Sequence, residues 1–168
     1  MPTVTLAPVD DAVLADLTRV AVADAAADEV TPPLTSDGQW SAERVAWFEG
    51  YHRACRAGLP GSRREAVWAV LVDGSPQGAA RLQLTDAAGV LEVGIWLTRS
   101  ARGRGVSVAA LGLLLDEAEA LGADAVVADT AVTNVPAQAA LRRLGFTLDA
   151  AEVEGRVRAR VDVVAVRG

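Results

Sequence analysis

Residues 91–122 read LEVGIWLTRSARGRGVSVAALGLLLDEAEALG, and this stretch decides the fold. It begins as an apolar strand, turns through a loop that contains two glycines and three arginines, and continues as an apolar helical pattern. Gly122 stands where a glycine C-cap of that helix is expected. The first backbone N–H groups of a helix have no internal partners and favour negative charge, so the turn predicts an anion site.

The composition of the turn fits a phosphate group. Gly103 and Gly105 let the backbone curl and approach a ligand without a Cβ in the way. Arg102 and Arg104 add charge and hydrogen-bond donors that suit phosphate. The turn is not a Walker loop, because no Gly-Lys-Ser/Thr follows, and it lacks the third glycine of a dinucleotide fingerprint. A surface turn with solvated arginines is the alternative interpretation.

The rest of the chain predicts strands and helices on both sides of this stretch. Before it come a strand at residues 3–9, a helix to about residue 26, a helix opened by Ser41, and a three-stranded meander. After it come a strand at residues 124–130, a helix that contains Pro136, and a closing antiparallel pair. The order β-α-α-β-β-β-α-β-α-β-β contains one β-α-β crossover. It predicts an α/β fold with a mixed, mostly antiparallel sheet of six to seven strands and helices on both faces.

Length and charge limit the classes of protein to consider. The chain has 168 residues, of which 51% are hydrophobic, and we expect residues 1–168 to form a single domain. A net charge of −6 argues against a nucleic-acid partner. One cysteine, Cys55, and one histidine, His52, argue against a disulfide or a metal site. Because neither a signal peptide nor an apolar membrane span is evident, we expect a cytoplasmic protein with no membrane partner.

Two motifs together resemble the GNAT (Gcn5-related N-acetyltransferase) superfamily. The first is Arg102-Gly103-Arg104-Gly105-Val106-Ser107, which follows the family pattern Gln/Arg-x-x-Gly-x-Gly/Ala with Ser107 in the last small position. The second is Asn134, followed by a helix that ends in Leu144-Gly145-Phe146. The resemblance covers about residue 67 to the C-terminus and is nearest to the branch that includes ribosomal-protein N-terminal acetyltransferases. It implies a GNAT fold whose sheet is splayed at the centre.

The resemblance implies acetyl-CoA as cosubstrate. Its pyrophosphate would lie on the backbone amides of residues 102–107, and its pantetheine would run along the strand at Trp96 and Leu97, like an added strand. The thioester carbonyl would meet a strand N–H near Leu97, and the Asn134 amide would bond the pantetheine arm. The predicted cofactor-binding residues are therefore Trp96, Leu97, Arg102, Gly103, Arg104, Gly105, Val106, Ser107 and Asn134.

The reaction needs a base that deprotonates the amine and an acid that protonates the leaving thiolate, and the sequence offers a candidate only for the base. Many family members protonate the leaving thiolate with a tyrosine of the last helix, and this chain has Leu141 in that position. Glu92 shares a strand face with Gly94 and Trp96, where a carboxylate beside an apolar cleft is suited to accept a proton from the amine. We therefore predict Glu92 as the catalytic base, with an ordinary strand glutamate as the alternative.

The acceptor site is predicted in the N-terminal helices. His52 has a suitable ordinary pKa for a base, and the family usually builds its acceptor pocket near this helix. Trp68 is interpreted as a core residue and Cys55 as a small apolar filler, while the orientation of Asp129 is left open. The predicted substrate-binding residues are Trp40, Trp47, Tyr51 and His52. Core packing is the alternative for the first three, and a partly buried or surface helix position is the alternative for His52.

The leading hypothesis is transfer of an acetyl group from acetyl-CoA to the primary amine of a small molecule. Two alternatives are acetylation of a protein N-terminus and a catalytically inactive acyl-CoA sensor, which the missing tyrosine favours. A structural interaction module is the third. The closing strand pattern at residues 156–167 predicts a sheet edge suited to pairing in a homodimer.

Overall fold

The computed structural model of the chain describes residues 1–163, which contain a seven-stranded sheet. The strands are β1 (Val4–Pro8), β2 (Glu65–Val72), β3 (Ser75–Leu84), β4 (Val90–Leu97), β5 (Ala125–Ala131), β6 (Thr147–Ala150) and β7 (Arg156–Asp162). Their order in the sheet is β1-β2-β3-β4-β5-β7-β6. Every pairing is antiparallel except that of β4 with β5. The predicted fold class is confirmed.

Five helices accompany the sheet in the described chain: α1 (Asp11–Asp24), α2 (Ala27–Val30), α3 (Ala42–Ala54), α4 (Val106–Ala120) and α5 (Val135–Arg143). Asp10 and Ser41 cap α1 and α3 by accepting hydrogen bonds from the first turns. None of the helices in the described range is long and apolar enough to cross a bilayer.

The short helix α2 is missing from the sequence prediction, which continued α1 to about residue 26. Ala25 instead adopts an extended backbone and ends α1. The fully buried Arg44 of α3 stabilises the connection that follows. Its guanidinium donates to Asp28, Thr31 and Thr35 at 2.7–3.1 Å. This side chain from a distant helix, rather than local propensity, fixes α2.

The helices cover both faces of the sheet, as predicted. One core contains α4 and α5 side chains, including Leu111, Leu114 and Leu141. The other contains Leu14 and Leu17 of α1 with Phe48 of α3. Trp68 packs against the first core, which confirms its interpretation as a core residue. The two layers leave the boundary between β4 and β5 as the place where ligands have access.

The centre of the sheet is splayed. The parallel pairing of β4 with β5 covers only residues 90–92 and 125–127. Beyond this point the two strands are unpaired with one another, although β4 continues to pair with β3 to Leu97. A cleft therefore opens between residues 93–97 of β4 and 128–131 of β5.

The predicted dimerisation edge is not an edge of the sheet. Strand β7 lies between β5 and β6, so its backbone is already paired on both sides. The edges are β1 and the four-residue β6. Residues 164–168, which include the end of the predicted closing strand, lie outside the described residues.

Candidate active site

The main cleft lies between the diverging halves of β4 and β5 and has a volume of about 940 Å³. Its walls come from both strands, the glycine turn, and the starts of α4 and α5. Among its lining residues are Glu92, Trp96, Leu97, Arg102, Gly103, Gly105, Val106, Ser107, Asp129 and Asn134. The structure thus brings together most of the residues that the sequence predicts for the cofactor.

The glycine turn has the backbone conformation that glycine favours. Gly103 and Gly105 have φ angles of +74° and +75°, where any other residue is strained. Gly105 is the N-cap of α4, and no side chain within residues 1–163 caps the first turn of this helix. The helix therefore keeps its free N–H groups for a ligand, and the residues present fit a pyrophosphate.

Arg102 has partners within the protein. Its Nε and Nη2 donate to the Leu97 carbonyl at 3.3 and 3.2 Å. Its Nη2 also donates to the Glu29 carboxylate at 2.6 Å, with both side chains about half exposed. A pyrophosphate would compete with Glu29 for this guanidinium. Arg104 is exposed.

The strand register corrects one predicted backbone contact. Thr98 N–H donates to the Gln77 carbonyl, and alternation along an antiparallel pair then directs the Trp96 backbone towards its partner Ala79. The backbone groups of Ile95 and Leu97 point the other way, towards the cleft. Leu97 and Ile95 therefore offer backbone groups to the cleft and the Trp96 backbone is used within the sheet, while the pairing with pantetheine stays a prediction.

Asn134 caps the last helix. Its side-chain oxygen accepts a hydrogen bond from Ala137 N–H at 3.2 Å, while the residue lines the cleft. Leu141 is buried beside α4 and also lines the cleft. No proton donor stands at that position, in agreement with the sequence.

Glu92 lies where the pairing between β4 and β5 ends, opposite Gln83 of β3 and Val127 of β5. It is partly buried and lines the main cleft. The orientation of Asp129 is now resolved. This side chain lines the same cleft and accepts a hydrogen bond from Arg156 Nε at 2.7 Å.

A second pocket of about 410 Å³ adjoins the cleft on the α3 side of the sheet. Trp47, Tyr51 and His52 line it, together with Glu65 of β2. The Trp47 and Tyr51 rings are stacked at 5.2 Å, and the Arg63 guanidinium lies over both of them. The two cavities share a wall that consists of Glu29, Arg81, Gly94, Ile95 and Trp96.

Burial and hydrogen bonding shift the pKa values of three side chains in this pocket. Tyr51 donates its hydroxyl to the Glu65 carboxylate, and burial together with this bond raises the pKa of Tyr51. Cys55 Sγ lies 3.8 Å from the same carboxylate, and burial raises the pKa of its thiol. His52 is only 2% exposed, and burial lowers its pKa to about 4. His52 is therefore neutral at pH 7 and a weak base.

Trp40 is not among the residues that line this pocket. Its Nε1 donates to the Ala25 carbonyl at 2.9 Å, and its ring packs edge-on against Phe48. The structure thus places it in the packing between α1 and α3, and the predicted substrate contact is not supported.

Sequence reasoning missed four polar residues of the shared wall and second pocket: Glu29, Glu65, Arg81 and Gln83. The last three share a sheet face only because of the register of β2 on β3, which no local motif encodes. The alternation of polar and apolar residues in RLQL, residues 81–84, is the one signal that could have singled out Arg81 and Gln83.

A cleft between two diverging strands, with a glycine turn at a helix N-terminus beside it, is the arrangement of an acetyl-CoA-dependent acyltransferase. A family model described as the acetyltransferase (GNAT) domain matches residues 3–147. The chain therefore belongs to the GNAT acetyltransferase family. No curated protein shows significant similarity to this sequence.

Several solved structures share the fold. RimJ of Mycobacterium smegmatis, in complex with a CoA disulfide, has 22% identity and a TM-score of 0.76, covering 98% of this chain and 84% of that one. The ribosomal L7/L12 α-N-protein acetyltransferase RimL, in complex with coenzyme A, has 17% identity and a TM-score of 0.72, covering 95% and 94%. The microcin C7 self-immunity acetyltransferase MccE, in complex with acetyl-CoA and AMP, has 15% identity and a TM-score of 0.72, covering 95% and 92%.

Proposed function

We propose that this protein transfers an acetyl group from acetyl-CoA to the primary amine of a small molecule, with Glu92 as the catalytic base. The observation that carries the proposal is the position of Glu92. Glu92 lies at the apex of the splayed cleft and lines it, and Gln83, its partner on β3, lines the neighbouring pocket. The volume of about 410 Å³ suits a small acceptor.

Acetyl-CoA supplies the acyl group as an activated thioester. The N–H groups at the start of α4 and the guanidinium of Arg102 hold the pyrophosphate, and the backbone of Ile95 and Leu97 orients the pantetheine. Glu92 takes the proton that the attacking ammonium must lose, directly or through water. As the new N–C bond forms and the C–S bond breaks, the nitrogen releases its second proton to water, and water protonates the thiolate because Leu141 offers no proton.

Acetylation of a protein N-terminus is the second candidate. The structural similarity to RimL, an α-N-protein acetyltransferase of ribosomal L7/L12, favours it. The two candidate functions differ in the acceptor that enters the second pocket. Glu92 is the catalytic base in both.

The test measures thiol release from acetyl-CoA with a panel of small amines and N-terminal peptides. We expect E92Q to lower kcat about 100-fold or more while CoA affinity is preserved. The exposed E152Q serves as the matched control and is expected to behave as wild type. A kcat of E92Q within twofold of wild type would refute Glu92 as the base. Tight CoA binding without turnover on any amine would favour the sensor hypothesis.

A further inference from the structure

Arg81 is a cation in the wall between the two cavities that has no ion-pair partner. Its Nη1 donates to Gln83 Oε1 at 2.7 Å. Within residues 1–163, no carboxylate oxygen lies within 4.0 Å of its guanidinium nitrogens. A partly buried guanidinium with donors to spare is a site that an anionic ligand group can complete.

The position of Arg81 depends on Gly94. The two residues are paired across β3 and β4, and the guanidinium lies over the glycine. A Cβ at position 94 would stand 2.6 Å from Arg81 Nε and 3.0 Å from its Cζ. Any other residue at position 94 would therefore displace the guanidinium from the wall. Gly94 and Gln83 together hold it at the boundary of the two cavities.

The charges around Arg81 alternate in sign. Glu65, Gln83 and Glu92 form one row across β2, β3 and β4, since each is paired with the next. Arg81 lies one step along this face, diagonal to both carboxylates, where Cβ atoms are about 7–8 Å apart. Arg81 thus lies between two carboxylates on one face of the sheet, with Glu92 in the lining of the cleft and Glu65 in the lining of the second pocket.

This pattern disfavours a simple cationic amine. An ammonium group that approaches Glu92 also approaches Arg81, and like charges in a partly desolvated site repel. A carboxylate on the carbon next to the amine removes that repulsion and adds paired hydrogen bonds to the guanidinium. Building on the proposed function, we propose that the acceptor is an α-amino acid or a close derivative, whose carboxylate Arg81 binds while its amine faces Glu92.

The test compares matched acceptors that differ in the carboxylate: L-phenylalanine, L-phenylalaninamide and 2-phenylethylamine, and likewise L-leucine and 3-methylbutylamine. We expect wild-type kcat/KM to be at least 10-fold higher for the better of the two amino acids than for its decarboxylated amine. R81M should reduce this ratio to about one, chiefly through the KM of the amino acid, and R81K should restore part of it. G94A, which displaces the guanidinium, should act like R81M, whereas the exposed R158M should leave the ratio unchanged.

A binding measurement separates this inference from the transfer activity itself. Calorimetry in the presence of CoA compares N-acetyl-L-phenylalanine with N-acetyl-2-phenylethylamine, and N-acetyl-L-leucine with its decarboxylated analogue. If wild type binds the acetylated amino acid more tightly than its decarboxylated analogue and R81M loses this preference, the carboxylate site is supported. This holds even if no thiol is released, in which case only the proposed transfer activity fails. Equal or better use of the decarboxylated amines, no binding preference, or an equal loss for both acceptors in R81M would overturn it.

Discussion

His52, the single histidine of the chain, has an environment that fixes its neutral form. It is packed edge-on between the rings of Phe48 and Tyr51, and its Nδ1 has no hydrogen-bond partner. Burial disfavours the imidazolium, so the pKa falls to about 4. At this scale the sequence placed a histidine of ordinary pKa in a helix beside the predicted acceptor pocket. Its protonation state depends on the side chains that the fold places around it.

The lowered pKa of His52 predicts a loss of stability in acid. The folded protein holds the neutral imidazole down to its pKa of about 4, whereas the unfolded chain takes up a proton near its ordinary value of 6.5. The contribution of His52 to stability is therefore complete above pH 6.5 and is lost as the pH falls from 6.5 to 4. Relative to H52Q, we expect wild type to lose about 2.5 kcal/mol between pH 7.5 and 4.5 in chemical denaturation.

H52Q is a suitable reference because it keeps a neutral polar side chain of similar size. Both proteins contain the same carboxylates, so the general acid response of the protein cancels in the comparison. A difference in unfolding free energy that does not change between pH 7.5 and 4.5 would contradict the assigned pKa.

The segment from β4 through the glycine turn into α4 was predictable from the sequence because its signals are local. Alternation, positive-φ glycines and a helical apolar stripe all lie within residues 91–122. Helix α2 was not predictable in this way. It has four residues and no side-chain cap. The segment after it is stabilised by hydrogen bonds from the buried Arg44, which belongs to α3. Elements whose stability comes from a distant side chain leave little trace in their own sequence.

An alanine in the glycine turn tests whether this turn binds the pyrophosphate of CoA. G105A places a Cβ on a residue with φ of +75°, at the N-cap of α4. The strain costs about 1–2 kcal/mol, the new Cβ stands 3.4 Å from Met1 Cε, and we expect the added methyl group to hinder the approach of a pyrophosphate. We expect the Kd for CoA to rise about 10-fold or more in isothermal titration calorimetry.

Gly155 provides the matched control for this substitution. It lies in the turn between β6 and β7 with φ of +80°, and a Cβ there would have no atom within 4 Å. G155A should therefore lose similar stability and keep the CoA affinity of wild type. Equal CoA affinity in G105A and wild type would show that this turn does not hold the pyrophosphate.

Over the whole molecule, the sequence predicted the contiguous residues that line the main cleft and three helical residues of the second pocket, but not the strand residues beside them. Residues 102–107 are contiguous, so a motif reveals them. Arg81 and Gln83 share a face by alternation along β3, but they meet Glu65 only because β2 and β3 pair in one register, and Glu29 joins them from α2. Trp40 shows the same limit, since the start of α3 beside it was predicted correctly, whereas its contacts with Ala25 and Phe48 depend on how α1 and α3 pack.

The two halves are joined by polar contacts between the N-terminal layer and the glycine turn. Ser100 N–H donates to the Asp24 carboxylate at 3.1 Å, and Arg102 pairs with Glu29 at 2.6 Å. Glu29 lines both cavities, so its carboxylate is the group that cofactor binding would displace from Arg102. The ion pair is half exposed, and such pairs contribute little free energy. A pyrophosphate can therefore replace Glu29 as the partner of Arg102.

Removing the charge of Glu29 should release Arg102 for the cofactor. We expect E29Q to tighten CoA binding about two- to fivefold at low salt, and R102Q to weaken it, because only the first leaves the guanidinium free for phosphate. D11N removes the carboxylate of another surface ion pair, with Arg56, and should leave the Kd unchanged. Calorimetric titration with CoA at two salt concentrations measures all three variants. If E29Q binds CoA more weakly than wild type, Glu29 positions Arg102 rather than competing with the pyrophosphate for it. Arg102 would then contact the pyrophosphate only while it is paired with Glu29.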